Sequence, residues 1–113
     1  MTSRRRLSIL LAAAAGAFLM VLGVSPTATA ATRYYPVAPD VRLNVRSGPG
    51  TSYTIVRVLP EGARVPIFCQ TPGTTVTGPY GTSNIWDNIA NGEFVADAYV
   101  NTGSDGYIAS RCG

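Results

Sequence analysis

The side chains able to do chemistry in this 113-residue chain are few: two cysteines, Cys69 and Cys112, six acidic residues and nine arginines, with neither histidine nor lysine. Without histidine there is no Ser/His/Asp triad, no Cys/His pair and no imidazole-bound metal. Without lysine there is no phosphate-cradling P-loop. Carboxylates remain, and Glu93 with Asp97 are the tempting couple. Four residues along a strand separate them by about 13 Å, beyond the ~5 to 9.5 Å that glycoside hydrolysis uses. Both therefore read as solvent-facing charges, while Asp87 is left as the carboxylate able to approach one of them across strands. The run "NTGSDG", Asn101 to Gly106, has an Asn, an Asp and a Gly at calcium-loop positions one, five and six. Gly103 and Cys112 fall where an oxygen ligand and a bidentate glutamate are needed, so it reads as a polar turn. The expectation is a chain with no cofactor and no metal that is not an enzyme.

These side chains need a scaffold, and the first 30 residues are not part of it. Arg4 to Arg6 open a positive start, Leu7 to Val24 are apolar, and "SPTATA" ends in the small-x-small pattern Ala28, Thr29, Ala30, so residues 1–30 read as a signal peptide cut before Ala31. An uncleaved anchor is the alternative, because the apolar run is close to the ~20 residues that span a bilayer; the Pro26 break and the cleavage pattern favour removal. "SRRRLS" does not decide between general and twin-arginine export. The mature chain keeps six arginines against six acidic residues, so it is neutral and offers no basic patch for nucleic acid and none for a membrane after cleavage. In an oxidising compartment, Cys69 and Cys112 read as a disulfide. The long loop it closes is worth roughly 4 kcal/mol by the chain-entropy argument.

"ATRYYPVAPD", residues 31–40, has two prolines and no alternation, and reads as a flexible leader before a domain at 41–113. "VRLNVR" alternates, with Val41, Leu43 and Val45 on one face and Arg42, Asn44 and Arg46 on the other. Gly48, Pro49 and Gly50 suit a type II turn with positive φ at the second glycine. "TIVRVL" and "ARVPIFC" read as strands joined as a hairpin through "PEG", with Pro66 at an edge or bulge. Residues 70–84 read as loop with one short strand at Thr75 to Thr77. "IWDNI", "EFVADAYV" and "GYIAS" supply the remaining strands. No stretch of the mature chain has a 3.6-residue apolar period, so the expected fold is all-β, a small barrel or rolled sheet of five to seven short strands.

"LNVRSGPGTSYTIVRVLPEGARV", Leu43 to Val65, resembles the opening of bacterial SH3 domains: an L-N-V-R-S-G-P run, a loop ending near an aromatic, a strand, a turn glycine and another strand. "IWDNI" and "EFVADAYVNT" resemble the later strands, with "GEFVADAYV" standing where G-W-V-x-x-x-Y-L is usual. The resemblance implies a small SH3-like β-barrel of a kind often attached to cell-wall hydrolases, binding peptidoglycan or its peptides. It also implies a groove between the loop after the first strand and later strands. The peptidases that accompany such domains need a cysteine and a histidine, which this chain does not offer.

Aromatic residues with a polar edge make flat, low-entropy contact surfaces, and a domain this small cannot bury all of its own. Tyr53, Trp86 and Tyr99 are the candidate ligand contacts, with Trp86 equally a candidate for the core. Asn44, Arg46 and Asp87 join them, although Asn44 bonding the backbone and Arg46 lying over Tyr53 is the structural alternative. The expected function is a secreted, extracellular or wall-associated non-catalytic module. Its partner is cell-wall peptidoglycan or, alternatively, another secreted protein without any affinity for the wall.

Overall fold

The computed structural model describes residues 32–113, and the expected signal peptide lies outside the described residues. Seven strands follow one another: β1 (Tyr34–Pro36), β2 (Leu43–Arg46), β3 (Ile55–Leu59), β4 (Arg64–Pro66), β5 (Cys69–Gly78), β6 (Gly81–Ala90) and β7 (Glu93–Ala96), ending in a 3-10 turn, Asp97–Tyr99. Five of them form one antiparallel sheet in the order β3-β2-β7-β6-β5, while β1 and β4 pair separately. The all-β expectation holds, but the two sheets do not close into a barrel.

Alternation decides which faces turn inward. Leu43 and Val45 of β2 are buried where Asn44 and Arg46 are not, and Leu43 sits opposite Leu59 of β3 in register. With Val37, Val65, Ile89, Val95 and Val100 they form the core between the sheets. Asn91 and Gly92 connect β6 to β7, Gly92 taking φ 70° and Asn88 Nδ2 donating to the Ala90 carbonyl at 2.9 Å to brace the turn.

Four expectations need correction. Residues 32–40 of the expected leader are built into the domain: β1 pairs with β4, Val37 and Ala38 are buried, and Ala38 N–H donates to the Tyr99 carbonyl at 2.9 Å. A three-residue strand ending in Pro36 is too short to display a period. "PEG" joins two sheets and is not a hairpin, since β3 pairs with β2 and β4 with β1. Residues 70–84, expected as loop, lie largely in the two longest strands, β5 and β6. Their β-branched Thr71, Thr74, Thr75, Val76 and Thr77 favour extended chain, and a register irregularity between Pro72 and Val76 absorbs the turn-forming Pro72 and Gly73. "GYIAS" makes no strand, because its backbone N–H groups bond a side chain instead of a ladder: Ile108 and Ala109 donate to Gln70 Oε1 at 2.7 and 2.9 Å. Just beyond it, Cys69 and Cys112 are joined, as expected.

Candidate functional site

The loop between β2 and β3, residues 47–54, is held in place by small contacts that depend on missing side chains. A Cβ on Gly48 would enter the Tyr53 ring, and one on Gly73 of β5 would strike the Pro49 carbonyl and stand 2.8 Å from Trp86 Cδ1. The glycines therefore permit close approach. Neither Gly48 nor Gly50 has positive φ, which corrects the type II turn; Gly50 N–H donates to the Gly48 carbonyl at 2.9 Å, closing a three-residue turn around Pro49. Thr74 fastens the loop to β5, its Oγ1 accepting from Thr51 N–H at 3.1 Å and its carbonyl accepting from Trp86 Nε1 at 2.8 Å. Arg46 holds the loop from the other side, with Nη1 donating to the carbonyls of Thr51 and Tyr53 at 3.0 and 3.1 Å. The guanidinium thus bonds carbonyls and does not lie over the Tyr53 ring.

A groove of about 490 Å³ opens beside this loop, within the ~300 to 1,000 Å³ common for small-ligand sites. Asn44 and Arg46 from β2, Trp86 from β6 and Tyr99 from the 3-10 turn line it. Four of the six expected site residues thus come together. Trp86 is only 2% exposed, so it belongs to the core and backs the groove from beneath its surface. Tyr99 also packs against the core and against Gly78, where a Cβ would stand 2.9 Å from its ring.

The other two expected residues lie elsewhere. Tyr53 is 45% exposed but does not line the groove, because its ring rests on the loop's own glycines. Asp87 is fully buried, opposite Gln70 in the β5–β6 register. It does approach a second carboxylate, Asp97, which is buried and not solvent-facing; Glu93 is the surface charge, bonded to Arg57 at 2.8 Å. Gln70 Nε2 donates to Asp87 Oδ1 at 2.7 Å and reaches Asp97 Oδ1 at 3.5 Å. As a carboxylate, Asp87 would leave Oδ2 with no donor. Protonated, it donates to Asp97. Burial first, and then this hydrogen bond and the charge of Asp97, push Asp87 from 3.8 up to about 9. Burial also raises Asp97, while the hydrogen bond from Asp87 pulls it back. Asp87 is sealed, while Asp97 lines a separate pocket of about 270 Å³ together with Tyr80, Ser83 and Asp105.

Sequence reasoning missed Asp40, Arg42, Thr51 and Val76, all of which line the groove. Arg42 was signalled by its alternation with Asn44 and Arg46. Asp40 follows Pro39 and has φ 62°, the one left-handed non-glycine among the described residues. "NTGSDG" is a polar turn, with Thr102 Oγ1 donating to the Ser104 carbonyl and Ser104 Oγ accepting from Gly106 N–H, and no metal-ligating cluster occurs among the described residues.

Comparison with known proteins adds a family. The pattern of the bacterial SH3 domain matches residues 41–112. The chain is also 46% identical, over 99% of its length and 98% of the relative's, to the uncharacterized protein YraI of Bacillus subtilis (strain 168). It is 42% identical to the uncharacterized protein YraJ of the same organism, over 99% of each chain.

Proposed function

Because the chain belongs to the bacterial SH3 domain family, whose members are typically binding modules, we propose that it is an exported, non-catalytic module holding cell-wall peptidoglycan or its peptides in the groove beside the 47–54 loop. The observation that carries this reading is the groove itself, open to solvent between Asn44 and Arg46 of β2 and Tyr99 of the 3-10 turn. The half-buried ring of Tyr99 suits contact with a peptide or sugar, while Trp86, its indole N–H satisfied by Thr74, backs the groove from within the core. Export rests on the signal-like residues 1–30, and no helix among the described residues is long and apolar enough to cross a membrane. Co-sedimentation of residues 31–113 with insoluble peptidoglycan tests the proposal: the domain pellets with the wall material, and a domain left wholly in the supernatant overturns it.

A second reading has its own observation. Strand β3 ends the five-stranded sheet and exposes Ile55, Val56 and Val58, an apolar edge suited to pairing with another protein. No wall binding, together with a concentration-dependent mass in sedimentation equilibrium, would favour this interaction role.

A further inference from the structure

Charged side chains also line the groove. Asp40 and Arg42 are both exposed and both line it. The only ion pair among the described residues joins Arg57 to Glu93, so Asp40 and Arg42 are paired neither with each other nor with another ionic side chain there. Arg46, the third charge in the groove, is held by the carbonyls of Thr51 and Tyr53.

Asp40 and the four residues after it, Val41 to Asn44, all line the groove, which therefore runs along the chain's entry into β2. At the start of this run the backbone of Asp40 is left-handed, φ 62°. A residue with a Cβ adopts that conformation at a cost, and aspartate is among the few that tolerate it. The rest of the lining is largely apolar, with Val41, Val76 and Tyr99 half-buried and Leu43, Trp86 and Ala96 buried behind them.

We propose that Asp40 and Arg42 are the two charged poles of the groove and select a short peptide of small residues bearing both a free ammonium and a free carboxylate, an inference that rests on reading the groove as a peptide site. Arg42 takes the carboxylate, for which a guanidinium fork is the matching donor, and Asp40 takes the ammonium. The mature chain is neutral, so this selection is local and owes nothing to a long-range field.

Isothermal titration of residues 31–113 with tri-alanine, its N-acetyl form and its C-terminal amide tests the assignment. Each cap weakens binding to the parent by about tenfold, the loss expected for one charge-assisted hydrogen bond. The amide penalty disappears in Arg42→Gln and the acetyl penalty in Asp40→Asn, a substitution that keeps tolerance of the left-handed backbone; circular dichroism confirms that both variants fold. Recovery of affinity by N-acetyl-lysyl-alanyl-alanine would place the ammonium on a side chain, and no recovery would place it at the N-terminus; both support the assignment once the acetyl penalty is seen. Caps that cost the parent nothing, or penalties unchanged in the variants, overturn it. Failure of the parent to bind tri-alanine while it still pellets with peptidoglycan overturns this inference alone, whereas failure of both removes the groove reading with it.

Discussion

Replacing Asp87 by Asn tests whether the buried carboxyl pair carries a proton at neutral pH. Asp87 is raised from 3.8 to about 9 in the folded domain, chiefly by burial, so between those values the folded state keeps a proton that the unfolded chain has released. Fewer protons bind to the unfolded state, and stability must therefore fall as pH rises, by about 1.4 kcal/mol per unit. From pH 5 to pH 7 the loss is roughly 3 kcal/mol, a large part of what a domain this small possesses. With no histidine in the chain, no imidazole competes in this window. The Asp87→Asn side chain would mimic the protonated acid: its oxygen accepts from Gln70 Nε2, and its amide supplies the hydrogen bond that the protonated carboxyl gives to Asp97. Urea denaturation of both proteins at unit steps from pH 5 to pH 9 should show a falling curve for the parent and a shallower one for Asp87→Asn, its remaining slope coming from Asp97, which burial also raises, with the variant the more stable at pH 8. Parallel curves would refute the shared proton. A variant less stable than the parent at every pH would refute the hydrogen-bond assignment.

Gly73→Ala should destabilise the domain by ~1 to 3 kcal/mol, because the new methyl meets the Pro49 carbonyl and Trp86, and ligand binding should weaken with it; urea midpoints and titration read the two effects. Replacing Cys69 and Cys112 together by Ser should cost about 4 kcal/mol, the chain-entropy value for a cross-link spanning 43 positions, as measured by thermal unfolding with and without reductant. Tyr99→Ala should weaken peptide binding by ~1 to 3 kcal/mol in a fold that circular dichroism finds intact. Arg57→Ala, which breaks only an exposed ion pair, should change stability by less than about 1 kcal/mol and leave affinity unchanged.

Much of the fold was legible because period-2 alternation survives in "VRLNVR", and the L-N-V-R-S-G-P run adds a family signature to it. What misled was local chemistry overruled by distant partners. Pro72 and Gly73 signal a turn, but the loop residue Pro49 needs Gly73 for contact and β6 supplies the ladder around it. "GYIAS" has strand composition, yet a side-chain amide nearly forty residues earlier takes its hydrogen bonds. In the site, Asn44, Arg46, Trp86 and Tyr99 were found by face and type. Tyr53 was misplaced because no pattern reveals that a ring lies on its own loop, and Asp87 because an acidic residue beside tryptophan reads as surface until its partners are seen.

Gln70 has a consequence for how the C-terminal tail is held. Its backbone carbonyl and N–H bond Cys112 and Ser110, its Oε1 receives Ile108 and Ala109, and its amide is aimed by Asp87 directly across the β5–β6 pairing. The tail's seat is therefore built from both strands: Gln70 of β5 receives the tail, and Asp87 of β6 aims its amide. The Cys69–Cys112 cross-link stands beside that seat, so covalent bond and side-chain amide fasten the C-terminus to the same point of β5.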